Sequence, residues 1–157
     1  MYSQILVPLD GSKLAEKAIP HAEGLAKTSK ATVHLLRVME RHGEGVNPTE
    51  DTGLAPLEIS KRNLELARQL EEAELAGAEE YLEHIGNRLK NEGIIVQTQL
   101  TEGHVDDRIV DYAKNHGIDL VVMCTHGRGG LRRLFVGSVT DRVVRAGEIP
   151  VLVVPSH

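Results

Sequence analysis

Tryptophan is absent from this chain of 157 residues, phenylalanine occurs once and tyrosine three times. With a net charge of −5, that scarcity disfavours single-stranded nucleic acid, which needs aromatic platforms for its bases and a positive channel for its backbone. Cysteine occurs once, at Cys124, which excludes an intramolecular disulfide and any zinc site built from several cysteines. Long apolar runs are missing too: the longest, Leu120–Cys124, falls far short of the ~20 residues of a membrane-spanning helix. Near the start, Lys13, Glu16 and Lys17 interrupt any apolar region of the secretory kind. The expectation is a cytoplasmic protein with no membrane and no nucleic-acid polymer as partner. What remains suffices for one domain, residues 1–157. Hydrophobic side chains make up 41% of the chain, and a chain of this length buries roughly 70% of its unfolded surface without staples.

Charge of one sign is scarce only locally. Residues 40–58 carry five acids against Arg41, and residues 64–92 carry eight against Arg68, Arg88 and Lys90. Residues 125–145 reverse the pattern, with Arg128, Arg132, Arg133, Arg142 and Arg145 against Asp141 alone. A basic, glycine-rich stretch in an acidic protein suggests a local anion site. The plainer alternative is that these arginines are solvated or meet the protein's own acidic helices.

Short apolar strands alternate with amphipathic helices. Gln4–Leu9 is a strand whose pairing should stop near Pro8. Ser12 is placed to cap a helix carrying Leu14, Ala15, Ala18, Ile19, Ala22, Leu25 and Ala26 at helical spacing; Pro20 should kink that helix or begin a second segment. Thr32–Val38 is the second strand. Residues 39–60 form a variable excursion with little periodicity, of a length that is usually functional or disordered. A long helix follows from about Ser60 to Glu92, with Leu66, Leu70, Ala73, Tyr81, Ile85 and Leu89 on one face, a possible break at Gly77 and a stop at Gly93. Ile94–Leu100, a helix from Val105 ended by Gly117, the fully apolar Leu120–Cys124, a helix over Ser138–Ala146 facing inward through Val139, Val143 and Ala146, and Val151–Val154 complete the chain. Five such strands separated by helices predict a doubly wound parallel α/β sheet.

Ligands of such sheets bind beyond the carboxyl ends of the strands, where strand order reverses. The informative loop there reads CTHGRGGLRRLFVGS, from Cys124 to Ser138. It joins a strand to a helix N-terminus, whose unpaired N–H groups and partial positive charge suit an anion, and its glycines let an anion approach the backbone. Ser138 and Thr140 could donate to phosphate oxygens and Arg128 could add charge. Alternatively, Ser138 is an N-cap paired with Asp141 and the glycines are turn residues. In the neighbouring loop, Asp10 could accept from a ribose hydroxyl or an adenine amino group, or complement the first helix's N-terminus. Other motifs fail. There is no GxxxxGK[ST], no GxGxxG after the first strand, and no GxSxG to accompany the HGRGG run. His126 has no evident orienting partner for general-base work, and Cys124 reads as a core residue rather than a nucleophile.

The segments ILVPLDGS (Ile5–Ser12) and THGRGG…VGSVTDRVVR…PVLVVP (Thr125–Pro155) resemble the universal stress protein family. The resemblance implies a five-stranded, Rossmann-like parallel sheet in order 3-2-1-4-5. It also implies a homodimer formed by pairing of the last strand, Val151–Val154. One branch of that family binds ATP through a G-x2-G-x9-G-[S/T] signature. Gly127, Gly137 and Ser138 match its second half, while the first glycine falls on Cys124, whose Cβ would weaken binding if the backbone there needed a glycine. Carried over, Asp10 contacts adenosine, Pro8, Val38 and Met123 surround the adenine, and Gly127, Arg128, Gly137, Ser138, Val139 and Thr140 hold the phosphates, with Mg²⁺ held through them. With Phe135 the only aromatic residue near the loop, adenine should lie between aliphatic side chains and backbone. Two functional readings follow. The first is an adenine-nucleotide-binding stress or signalling module, with ATP before ADP, AMP or cyclic AMP and at most feeble ATPase activity. The alternative is a nucleotide-free homodimer acting through protein contacts.

Overall fold

The computed structural model describes residues 1–40, 57–125 and 137–156, with side chains from residue 61 onward in the second stretch. The strands are β1 (Gln4–Leu9), β2 (Thr32–Met39), β3 (Ile95–Glu102), β4 (Leu120–Cys124) and β5 (Val151–Val154). They form one parallel sheet in order β3-β2-β1-β4-β5, as the resemblance implied. The helices are α1 (Lys13–Glu16), α2 (Ile19–Ser29), α3 (Leu57–Asn91), α4 (Val105–Asn115) and α5 (Ser138–Ala146).

Alternation along the strands divides the core into two layers. Ile5, Val7, Leu9, Val33, Leu35, Val122 and Cys124 pack toward α2 and α3, against Ile19, Ala22, Leu82, Ile85 and Leu89. Leu6, Leu36, Val121 and Met123 pack toward α4 and α5, against Ile109, Tyr112 and Val143. At the amino end, the Asp119 carboxylate accepts from the Ser3 N–H and hydroxyl and from the Gln4 N–H, tying the start of β1 to β4.

Pro8 ends sheet pairing on one side only. The Ser3 carbonyl accepts from Thr32 on the β2 side, and the Gln4 carbonyl accepts from Asp119 on the β4 side. Backbone groups alternate along a strand, so Leu6 and Pro8 also face β4. Proline has no N–H to donate. The β1–β4 ladder accordingly holds Ile5–Leu120 and Leu6–Val121, whereas β1 pairs with β2 through Leu9–Arg37. The sheet thus opens between β1 and β4 at their carboxyl ends, where its strand order reverses.

Several expectations need correction. The first helix divides in two: Ser12 caps α1 by accepting from the Ala15 N–H, and Pro20 lies in the first turn of α2, where its missing N–H costs nothing. Helix α3 starts at Leu57 and runs through Gly77 without a break. Its buried face is Ala78, Leu82, Ile85 and Leu89, while Leu66 and Leu70, expected inside, are 56% and 63% exposed. Gly93 (φ 82°) ends α3 as expected, with Ile94 donating to the Leu89 carbonyl. On α5 the buried residues are Thr140 and Val143, with Val139 half-buried and Ala146 exposed. The greater part of the 39–60 excursion lies outside the described residues.

Candidate functional site

The opening between β1 and β4 is lined by residues whose placement follows from strand alternation. Met123 belongs to the core layer facing α4 and α5, and Val38 and Val139 pack against that layer. Pro8 shares the parity of Leu6 and lies on the same side of β1. Three of the expected residues, from β2, β4 and α5, therefore share one core layer, and Pro8 of β1 lies on the same side of the sheet by strand parity.

Asp10 follows β1 directly. Its Oδ1 accepts from the Ser12 N–H at 2.8 Å, and Ser12 Oγ in turn accepts from the Ala15 N–H at 3.1 Å, so a carboxylate turn leads straight into the cap of α1. Gly11 between them has φ 84°, a left-handed conformation natural to glycine.

Helix α5 is anchored to the end of β4. The Gly137 N–H donates to the Thr125 carbonyl, the Thr125 N–H donates to the Val154 carbonyl at 3.0 Å, and the buried Thr140 hydroxyl donates to the Cys124 carbonyl at 2.9 Å. Thr140 Oγ1 therefore fastens the junction from inside. Ser138 is not the N-cap: Gly137 is, with φ −54° and ψ 153°, and Ser138 is the exposed first helical residue. No described side chain caps this N-terminus. The Ser138, Val139 and Thr140 N–H groups precede the first intrahelical bond, from Asp141 to the Gly137 carbonyl, and carry the helix's partial positive charge. Gly127, Arg128 and His126 lie outside the described residues.

The basic stretch is partly neutralised within the fold. Arg142 pairs with Asp106 of α4 at 3.3 Å, and Arg145 pairs with Asp141 at 2.8 Å. For these two, the plainer alternative is what the structure shows. Cys124 points into the layer facing α2 and α3, with Sγ 4.0 Å from the Ala15 carbonyl, away from the face holding Met123. Its backbone is ordinary strand, so no glycine is required there. Burial pushes the thiol pKa up, which removes nucleophilic character.

Two residues at this edge, Arg37 and Tyr81, were given no role at the site by the sequence, Tyr81 being expected only on the apolar face of the long helix. Arg37, paired in register with Leu9, holds its guanidinium 5.4 Å from the Tyr81 ring centroid. A Cβ on Gly11 would lie 3.2 Å from Cζ and from both terminal nitrogens of Arg37. The guanidinium thus lies flat across the Gly11 α-carbon. The Tyr81 hydroxyl donates to Glu16 Oε1 at 3.1 Å; burial, with Glu16 and Asp10 nearby, raises its pKa against the opposing pull of Arg37. The available signal was an arginine near the carboxyl end of an otherwise uncharged strand, Thr32–Met39.

The model of the universal stress protein family matches residues 1–155. Universal stress protein MJ0531 of Methanocaldococcus jannaschii is 34% identical over 98% of this chain and 82% of that relative. The solved structure of MJ0577, from the same organism, is 28% identical, with a TM-score of 0.78 over 99% of this chain and 96% of that one. Two more remote structures share the fold. One is a universal stress protein in complex with cAMP (20% identity, TM-score 0.68, 99% and 98% covered). The other is a family protein of Arabidopsis thaliana with AMP bound (16%, 0.65, 98% and 91%).

Proposed function

The chain belongs to the universal stress protein family, and on that premise we propose that it binds an adenine nucleotide, ATP foremost, at the opening between β1 and β4. The observation that carries this reading is that Met123, Val38 and Val139 share one core layer, with Pro8 on the same side of the sheet by strand parity, and that Val139 lies in the first turn of α5. An apolar slot of aliphatic side chains suits a purine, and helix N–H donors suit phosphates. Asp10, at the head of the adjoining turn, suits a ribose hydroxyl. Ser138 and the backbone of Val139 and Thr140 serve the phosphates, together with Gly127 and Arg128, and Mg²⁺ would be held through the phosphates. The cAMP and AMP bound by proteins of the same fold support the adenine class rather than one phosphate chain. The role is binding: the described residues offer positive charge but no oriented base for water, so steady-state turnover well above ~1 per minute would contradict it.

The test begins with protein purified without added nucleotide, denatured in acid, and its released nucleotides identified by chromatography. ATP is then titrated calorimetrically into the stripped protein. Micromolar binding is the expected result; no released nucleotide and no heat at millimolar ATP would overturn the proposal. Gly137→Val is the informative variant. The backbone at Gly137 (φ −54°, ψ 153°) is open to any residue, so a folded variant that no longer binds reports the bulk placed at the helix N-terminus.

A second reading draws on a different observation. Leu64, Leu66 and Leu70 are all more than half exposed on the acidic α3, as a surface that meets another protein would be. Nucleotide-free action through protein contacts is the reading that a negative titration would favour. In either case we propose a homodimer formed through the open edge of Val151–Val154.

A further inference from the structure

We propose that Arg37 is the positioning residue for Asp10, a clamp holding the β1–α1 turn in the shape that presents the Asp10 carboxylate to the ribose. The proposal rests on the nucleotide-binding reading above.

Three contacts converge on this turn. The Asp10 carboxylate accepts the Ser12 N–H at 2.8 Å, which fixes both the carboxylate and the path of the chain into α1. Gly11 must be left-handed for that path, and its bare α-carbon is covered by the flat face of the Arg37 guanidinium. Arg37 cannot swing freely, because it lies over the Tyr81 ring, and that ring is fixed by its hydroxyl bond to Glu16 of α1. The turn, β2, α3 and α1 are thereby linked through one planar cation. Among the described residues, the contacts of the guanidinium at this turn are flat packing on Gly11 and on the Tyr81 ring. A flexible, unclamped turn would have to be ordered when nucleotide binds, at a cost in affinity. Lysine has a round ammonium and no flat face, so it cannot substitute.

The turn itself supplies the first readout. Ser12 N–H exchange in the nucleotide-free full chain reports its bond to Asp10. Arg37→Ala and Arg37→Lys are both expected to speed that exchange about tenfold while global stability, read by urea denaturation, changes little. Tyr81→Phe keeps the ring but removes the hydroxyl bond to Glu16 that fixes it, so it is expected to speed the exchange by less than Arg37→Ala does. Affinity supplies the second readout. Arg37→Ala should weaken ATP binding about tenfold in the wild-type background and less than about twofold in Asp10→Ala, because a residue acting through Asp10 is silent once Asp10 is gone. Unchanged Ser12 exchange in either Arg37 variant, or additive losses of affinity, would overturn the clamp. Failure of the wild type to bind any adenine nucleotide would instead sink the functional reading, leaving the exchange measurement to decide the clamp.

Discussion

Burial of single residues gives His34 a part in the response to acid and Cys124 a part in packing. His34 is 2% exposed in the interior of β2, where Gln4 Oε1 lies 2.7 Å from Nε2 and the Tyr112 hydroxyl 2.9 Å from Nδ1. With the proton on Nε2 donated to the amide oxygen, Nδ1 of the neutral ring can accept from the tyrosine, and both ring nitrogens are satisfied. Burial, with repulsion from His116, pushes its pKa below the ordinary 6.5. The unfolded chain then takes up the proton first, so this contribution to stability is complete above pH 6.5 and declines as the pH falls below it. Urea denaturation at pH 7.5 and 5.5 should show that decline, and His34→Gln, which cannot titrate, should reduce it. Equal slopes would remove His34 from the account. Cys124 makes a second prediction. Its thiol faces α1 and α2, so Cys124→Gly supplies the signature's glycine without opening the proposed nucleotide face. We expect a loss of about 1–3 kcal/mol in stability from the emptied space and no gain in ATP affinity. Tighter binding would show that the Cβ does reach the ligand.

Among the elements, α3 shows best where sequence patterning holds and where it fails. Its helical period was legible and so was its end at Gly93, but its buried face was legible only in the second half. Leu66 and Leu70 have the spacing of a core stripe, yet both are exposed, and the residues of α3 that are buried run from Ala78 to Leu89. Replacing Leu82 with alanine should therefore cost about 2–5 kcal/mol, while Leu66→Ala should stay within about 0.5 kcal/mol, as denaturation midpoints would show. The glycines of α3 separate in the same way. A Cβ at Gly77 meets nothing within 4 Å, so Gly77→Ala should stabilise by up to about 1 kcal/mol through helix propensity. At Gly86 the same Cβ would lie 3.2 Å from Thr98 Cγ2, and no comparable gain is expected. Strands β1, β4 and β5 were legible to the residue because each is a short apolar segment bracketed by polar residues or proline, and amphipathic α5 was legible because Gly137 and Gly147 flank it.

For the whole molecule, the proposed homodimer would use the β5 edge of the sheet. The Pro150 and Val154 carbonyls accept from Val121 and Thr125 of the β4 segment, so by alternation the backbone groups of Val151 and Val153 point to the open edge. Val153→Pro removes a donor from that edge and leaves the β4–β5 ladder intact. If the proposed dimer forms by strand pairing, sedimentation should show a dimer for the wild type and a monomer for this variant. A wild-type monomer, or a Val153→Pro dimer, would exclude that geometry.

The sequence by itself determined the fold class, most element boundaries and the loops in which to look, because strand and helix periods, prolines and glycine stops are local properties of the chain. It marked Pro8, Asp10, Val38, Met123, Ser138 and Thr140 individually but could not say which way each would face. Only the tertiary structure decided that. Pro8 stops pairing toward β4 alone, Cys124 turns to the opposite layer from Met123, Thr140 spends its hydroxyl on the Cys124 carbonyl, and Arg37 comes to rest on Gly11. These facts depend on register and on contacts between residues far apart in the chain, and such contacts exist only once the sheet has been ordered and its two faces covered.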